Sequence, residues 1–315
     1  IESGSKLLSI SNGMFGVCRV LEEIIIHDNC QLRSIGSGSI AFTSICQLSI
    51  PQSVETLEVG WCSYAKYFKE LSFISNNKNF KFIDEKHQVI IGKSDTNVNE
   101  FDVLVFANRD VKTVKIPSNI KFIEKSAFLD CTNLDVIEIP ENSELLSFNT
   151  MSFSNCSVSN IFIPSKFEYF EENWCQNSPK LKMLALSPNN RNFKYADEDH
   201  QIIIGKSDNN TDVFDVIVFA NRDIVSVTIP SYIKYINACA FECCSNLEKV
   251  EFQDNSSLQS IGIYAFSQTK IKEITIPKNV KIIEEQAFSS CKKLRKFRVE
   301  NGTKLNKIPK YLFYD

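Results

Sequence analysis

One pattern of residues recurs along the whole 315-residue chain and constrains its fold more than any other feature. Each copy has an apolar residue, two variable residues, a second apolar residue, one variable residue, a third apolar residue and often a proline. The copies begin at Leu21, Ile45, Phe68, Val111, Leu134, Val158, Leu181, Ile224, Leu247, Ile271 and Leu294. They lie 23 or 24 residues apart, except for two intervals of 43. Fixed periods of about 20 to 50 residues indicate a solenoid, because a single coil cannot bury its own apolar face.

A longer period of 113 residues is superimposed on the short one. Pro51 and Pro164 lie 113 residues apart, as do Trp61 and Trp174. We therefore predict one solenoid over residues 1–315, built from 113-residue super-repeats. The start of the chain lacks a basic and an apolar region of the kind that signal peptides have, and the chain ends inside a repeat. We expect it to be a fragment of a longer protein.

The alternation within each copy predicts a strand. In the copy that starts at Val111, Val114 alternates with Thr113 and Lys115, and a period of two places the first in the core and the other two in solvent. Pro117 then ends the strand, because proline cannot donate a hydrogen bond to a neighbouring strand. Eleven such strands are predicted to form one continuous parallel sheet. Turns and short helical segments are expected on the other sides, which makes this an α/β repeat fold.

Two further residue types keep the same period. About six residues after the proline comes an apolar residue such as Ile123, and an Ala-Phe pair follows it. These pairs begin at Ala127, Ala240, Ala265 and Ala287. Each ring is expected to fill the wide side of one coil. Cysteines follow three residues after the repeat aromatic at Cys18, Cys131, Cys156, Cys244 and Cys291. Equivalent positions stack in a solenoid, so we predict a column of buried, unbridged thiols. A local disulfide among Cys30, Cys46, Cys239 and Cys243 is the alternative for the remaining cysteines.

The combined motif resembles a known family, the BspA-like leucine-rich repeats, and is most similar to the members from trichomonads. The motif runs through Ile116-Pro117, Ile123, Ala127-Phe128, Cys131 and Leu134. The resemblance covers residues 8–313. It implies a right-handed leucine-rich-repeat solenoid, display on the cell surface, and attachment to a protein or glycan of a host cell or of the extracellular matrix.

The two long intervals hold nearly identical insertions at residues 76–110 and 189–223, with 25 of 35 aligned positions identical. Each contains two apolar runs around a polar segment, which predicts a β-hairpin. Each hairpin either braces the stack of coils or forms a ridge for a partner. The polar tips, from Asp95 and from Asp208, place oxygens at alternate positions as calcium loops do. They lack the glycine and glutamate that such loops require, so we interpret them as solvated tips.

The sequence offers no chemistry of the kind that enzymes use. It contains no known nucleophile, phosphate or dinucleotide motif, so we predict no catalytic residue, no cofactor and no metal site. The formal net charge of -3 does not favour nucleic-acid binding, and no apolar run is long enough to span a membrane. His87 and His200 occupy equivalent places in the two hairpins, and we interpret both as structural.

One apolar cluster stands out among the outward positions of the predicted sheet. Val136, Phe162, Met183 and Ala185 come from three consecutive strands, where most other outward residues are polar. An exposed apolar cluster with a polar rim favours a partner-binding face, with Phe162 as its anchor; a neighbouring loop or flanking sequence that covers it is the alternative. We therefore predict a non-enzymatic surface adhesion module. An intracellular protein-interaction scaffold is the second hypothesis, favoured by the many unpaired cysteines.

Overall fold

The computed structural model describes residues 1–95, 97 and 99–314. All regular secondary structure in these residues is β-strand, numbered here in chain order. The first strands are β1 (Ser9–Ile10), β2 (Ser34–Ile35), β3 (Gln47–Ile50), β4 (Thr56–Leu57), β5 (Glu70–Phe73), β6 (Lys81–Phe82), β7 (Val89–Gly92), β8 (Val103–Ala107), β9 (Thr113–Lys115), β10 (Phe122–Ile123), β11 (Val136–Glu138) and β12 (Ser147–Phe148). The others are β13 (Asn160–Ile163), β14 (Tyr169–Phe170), β15 (Met183–Leu186), β16 (Phe193–Tyr195), β17 (Ile202–Lys206), β18 (Phe214–Ala220), β19 (Ser226–Ile229), β20 (Tyr235–Ile236), β21 (Lys249–Phe252), β22 (Ser260–Ile261), β23 (Glu273–Ile276), β24 (Ile282–Ile283) and β25 (Lys296–Val299).

The strands belong to two compact units. The first unit comprises Ile1–Ser157 and Tyr169–Trp174, and the second comprises Val158–Glu168 and Cys175–Asp315. Each unit is a leucine-rich-repeat-like β-solenoid in which strands of successive coils pair in parallel. The right-handed sense of the coil and a single solenoid over residues 1–315 stay predictions.

The long strands confirm the predicted alternation, but they do not form one sheet. Val114 is buried between exposed Thr113 and Lys115, as expected. The strands pair as β3 with β5 and β9 with β11 in the first unit, and as β13 with β15, β19 with β21 and β23 with β25 in the second. The predicted continuous eleven-strand sheet is therefore wrong. Within each unit an insertion separates two neighbouring copies, β5 from β9 and β15 from β19, and the first copy, at Leu21, has no strand among the described residues.

A second column of strands, each two residues long, was not predicted. Most of these strands follow the turn after a long strand, and Ile123 in β10 is one of their buried residues. The inserted hairpins join this column, because β8 pairs in parallel with β10 and β18 with β20. Two six-stranded mixed sheets result, in the orders β14-β12-β10-β8-β7-β6 and β16-β17-β18-β20-β22-β24. The hairpins thus brace the stack of coils.

The predicted helical segments are wrong, because none of the described residues is helical. The Ala-Phe segments form tight turns in which two residues per coil, such as Ser126 and Asp130, have φ near +60°. Residues with this left-handed backbone interrupt an α-helix. Between them, the N–H of Phe128 donates to the carbonyl of Ser152 in the next coil, at 2.8 Å, and not to its own turn. Backbone bonds between coils therefore replace those of a helix.

The repeat aromatics stack from coil to coil inside each unit. The rings of Phe241 and Phe266 lie 5.0 Å apart and nearly parallel, and Phe288 follows at 5.3 Å from Phe266. In the first unit Phe128 stacks on Phe153 at 5.0 Å. All these rings are fully buried. Because neighbouring strands lie about 4.8 Å apart, coils held at strand spacing place their rings at stacking distance.

All eleven cysteines are free thiols. Cys131, Cys156, Cys244 and Cys291 are buried, which confirms the predicted column, and no local disulfide forms. Cys18 is exposed, against the prediction. Burial raises the pKa of the Cys244 thiol to about 11, although the nearby Arg222 guanidinium acts in the opposite direction.

Thiol labelling tests this arrangement. Native protein treated with iodoacetamide near pH 8 should be alkylated at Cys18 and Cys46, the two exposed thiols. The buried thiols should react only after denaturation, because the thiolate is the reactive form and burial both disfavours it and excludes the reagent. Peptide mapping by mass spectrometry identifies which cysteines are alkylated. Rapid native alkylation of Cys131 or Cys244, or a disulfide at either, would contradict the column.

Candidate partner-binding surface

The predicted surface centres on β13 and β15, which pair in parallel within the second unit. Their register places Phe162 opposite Ala185 and Asn160 opposite Met183. Ile161 is buried on the inner side of β13, so its neighbours Asn160 and Phe162 point outward. The structure therefore brings Phe162, Met183 and Ala185 together on one outer face.

The four candidate residues differ in exposure and in their unit. Val136 and Met183 are 41% and 38% exposed, whereas Phe162 and Ala185 are partly buried. Val136 lies on β11 in the first unit, where it pairs with Thr113 of β9. A single surface that includes all four residues stays a prediction.

Apart from Thr113 and Val136 on β9 and β11, the outward pairs on the other long strands are polar, which makes the β13–β15 pair unusual. Ser49 and Ser72 share a hydrogen bond of 2.7 Å across β3 and β5. Lys115 and Glu138 form an ion pair of 3.1 Å across β9 and β11. The same face of β13 and β15 carries an aromatic ring where these pairs carry polar groups. That contrast identifies Phe162 as the residue to test.

Each insertion ends in a buried arginine that sequence reasoning missed. In the second unit Arg222 donates from Nη1 to the carbonyl of Ala240 at 3.0 Å and from Nη2 to the carbonyl of Cys239 at 3.3 Å. Its guanidinium carbon lies 4.6 Å from the centre of the Phe219 ring. Arg109 makes the equivalent backbone bonds in the first unit. Both insertions have the sequence Asn-Arg-Asp at this place, and this identity could have indicated a shared structural role for the arginine.

A buried aspartate near the start of β8 and of β18 ties each hairpin to the next coil. Asp215 accepts hydrogen bonds from the N–H and the hydroxyl of Ser207 at 3.0 and 2.9 Å, and from Lys234 at 2.9 Å. Burial raises the pKa of Asp215, but the bonds from Lys234 and Ser207 outweigh burial and hold that pKa below its usual value. Asp102 has the same arrangement in the first unit.

The hairpin histidines lie in turns with φ of 56° and 54°. His87 stacks on Phe82 at 4.6 Å, and His200 stacks on Tyr195 at 3.9 Å. The Tyr195 hydroxyl also donates to the carbonyl of Leu184 and accepts from an amide of β15. These contacts support the structural interpretation of both histidines.

The hairpin tips are closed by their own side chains. In the second tip Asp208 accepts from the N–H and the side-chain amide of Asn210 at 2.9 and 3.0 Å. Thr96 and Val98 of the first tip lie outside the described residues. Within the part of the chain that the structure describes, no three His, Cys, Asp or Glu residues are placed to hold a metal ion, and no helix is long and apolar enough to cross a membrane.

A family model described as a BspA type leucine-rich repeat region, with six copies, matches residues 1–86, 97–196 and 214–315. No curated protein matches the sequence.

Two solved structures are similar in fold. The pneumococcal vaccine antigen PcpA is 15% identical, with a TM-score of 0.56 over 100% of this chain and 76% of that one. A leucine-rich repeat protein from Eubacterium ventriosum is 19% identical, with a TM-score of 0.53 over 96% of this chain and 82% of that one. At such low identity these two structures support the fold alone.

Acid stability tests the anchor of the second hairpin. Because the pKa of Asp215 is lowered on folding, its stabilisation is present above its unfolded pKa of about 3.9 and is lost as pH falls through the lower folded value. Asp215→Asn should lower the free energy of unfolding at neutral pH by about 1 to 3 kcal/mol. As pH falls through the lowered pKa of Asp215, urea unfolding curves of the variant and the parent should converge.

The control is Asp212→Asn, in the same hairpin. Asp212 pairs with Lys206 at 2.9 Å, but its side chain is fully exposed. The urea unfolding curve of this variant should therefore match that of the parent. Equal effects of the two substitutions would show that Asp215 does not anchor the hairpin.

Proposed function

Because the chain belongs to the BspA-type leucine-rich repeat family, we propose that it is a non-enzymatic binding module displayed at a cell surface. It presents the outer face of its long strands to a protein or glycan of a host cell or of the extracellular matrix. The family match is to a repeat region and not to a catalytic family, and repeat solenoids offer extended surfaces for binding.

The observation that carries this proposal is the outward side of β13 and β15. Phe162 lies opposite Ala185 with Met183 beside it. Other long strands have ion pairs or hydroxyl groups at the equivalent outward positions, such as Lys115 with Glu138. Polar groups lie next to this apolar centre: Asn160 is opposite Met183, and Lys182, which precedes Met183 in the chain, pairs with Asp223 at 2.9 Å. An apolar centre with a polar rim is the usual anatomy of a protein interface. Partial burial pre-orders the Phe162 ring, which lowers the entropy lost on binding.

Surface display is supported by the family resemblance and by the description of one structural neighbour as a vaccine antigen. The free thiols fit this location, since nine of the eleven are buried and protected from oxidation.

An intracellular interaction scaffold is the second candidate, and the same thiols favour it. Eleven cysteines without a disulfide are typical of reducing compartments. Antibody staining of intact and permeabilised source cells distinguishes the two locations. Staining that needs permeabilisation would support the scaffold.

A single substitution tests the surface. Phe162→Ser should weaken attachment of protein-coated beads to cultured epithelial cells, or to the matrix that they leave behind, by roughly tenfold, because aromatic anchors dominate hot spots. The free energy of unfolding should fall by only about 1 kcal/mol, since the ring is already partly exposed.

Tyr232→Ser is the matched control, because Tyr232 is an exposed aromatic of the same unit. It should leave attachment unchanged. Unchanged attachment of Phe162→Ser, together with a large loss of stability, would show that Phe162 belongs to the core.

A further inference from the structure

A groove lies beside the first hairpin, within the first unit. It encloses a cavity of about 760 Å³ between the turn at residues 83–89 and the chain at residues 110–115. This volume is typical of ligand sites, which span about 300 to 1,000 Å³. Thr113, Val114 and Lys115 all border the cavity, although their side chains alternate between outside and inside. An edge of β9, and not only one of its faces, therefore lies open to the groove.

No strand among the described residues pairs with that edge. β9 pairs with β11 on one side only. On the other side it does not pair with β5, the preceding long strand, because the first insertion lies between the two in the sequence. A free strand edge carries alternating N–H and carbonyl groups, and an extended peptide can pair with it as an added strand.

Three exposed lysines surround the groove: Lys86, Lys112 and Lys115. Lys115 pairs with Glu138 at 3.1 Å, whereas Lys86 and Lys112 form no ion pair within the described residues.

Two of the three carboxylates in the groove already have donors. Asp84 accepts from the backbone N–H groups of Gln88 and Val89 at 3.1 and 3.0 Å. Asp110 accepts from the Gln88 side chain at 3.4 Å. The three carboxylates balance the three lysines in charge, but Lys86 and Lys112 pair with no carboxylate of the described residues and can pair with carboxylates of a ligand.

The second super-repeat shows that the fold does not need these lysines. A shift of 113 residues aligns them with Asp199, Val225 and Thr228, all exposed in the second unit. The carboxylates at the same places are retained as Asp197, Glu198 and Asp223. The three lysines are therefore specific to the first groove.

We propose that this groove binds an extended acidic peptide segment of a partner protein. The segment pairs through its backbone with the free edge of β9 and directs its carboxylates to Lys86, Lys112 and Lys115. A free strand edge matches the alternating donors and acceptors of a peptide backbone, which a polysaccharide lacks. The proposal does not rest on the Phe162 surface.

The probe is a fluorescent, capped heptapeptide in which Val and Glu alternate, titrated against the whole chain by fluorescence anisotropy. It should bind at low salt and weaken as salt rises. The triple variant Lys86→Asp, Lys112→Val, Lys115→Thr, which takes its residues from the second super-repeat, should bind at least tenfold more weakly. Methylating alternate peptide nitrogens keeps every charge but removes N–H donors, and should weaken binding by a similar factor.

The reciprocal variant Asp199→Lys, Val225→Lys, Thr228→Lys, made in the triple-variant background, should restore peptide binding at the second super-repeat. Phe162→Ser should leave peptide binding unchanged, so failure of the surface proposal and failure of this one are distinguishable.

Several results would overturn the proposal. One is no binding of the heptapeptide; another is equal binding by the parent and the triple variant, or by the methylated peptide. Lysine-dependent binding of a heparin octasaccharide without peptide binding would assign the groove to a glycan. Self-association of the triple variant without peptide binding in the parent would show that the lysines only protect the strand edge.

Discussion

The backbone hydrogen bonds between neighbouring coils are the interaction on which the rest of this structure depends. In the Ala-Phe turns, alternate N–H groups bond to the next coil while the others close tight turns within their own, as at Phe128 and Leu129. The coils are thereby held at strand spacing on this side as well as along the strands. The stacked rings and the buried thiols follow from that spacing, because equivalent side chains of successive coils meet directly.

Each insertion acts on both columns of strands in its unit. Its last strand pairs with the short-strand column and is anchored there by a buried aspartate and a buried arginine, Asp215 and Arg222 in the second unit. The same insertion separates two long strands that would otherwise be consecutive. The bracing of one sheet thus leaves an open edge in the other, and in the first unit that edge borders the lysine-lined groove.

The features that depend on period alone could be predicted from the sequence. The inside and outside of the strands, the aromatic stack and the column of thiols all follow from the spacing of equivalent residues. The left-handed turns could not be predicted, since Ser126 and Gln286 are not residue types that indicate positive φ. Two-residue strands are too short to show an alternation. At the candidate surface, period two predicted that Phe162 points outward, but its partial burial depends on neighbours that the pattern does not contain.

The direction of the inter-coil bonds has a mechanical consequence. Within each unit these bonds run from coil to coil, along the axis on which the coils stack. Tension applied along that axis pulls parallel to these bonds. It breaks the bonds of one coil at a time and does not load the bonds of many coils together. A unit pulled in this way yields coil by coil and releases length gradually while the coils that remain keep their rings stacked. A unit built like this lengthens under load before it breaks.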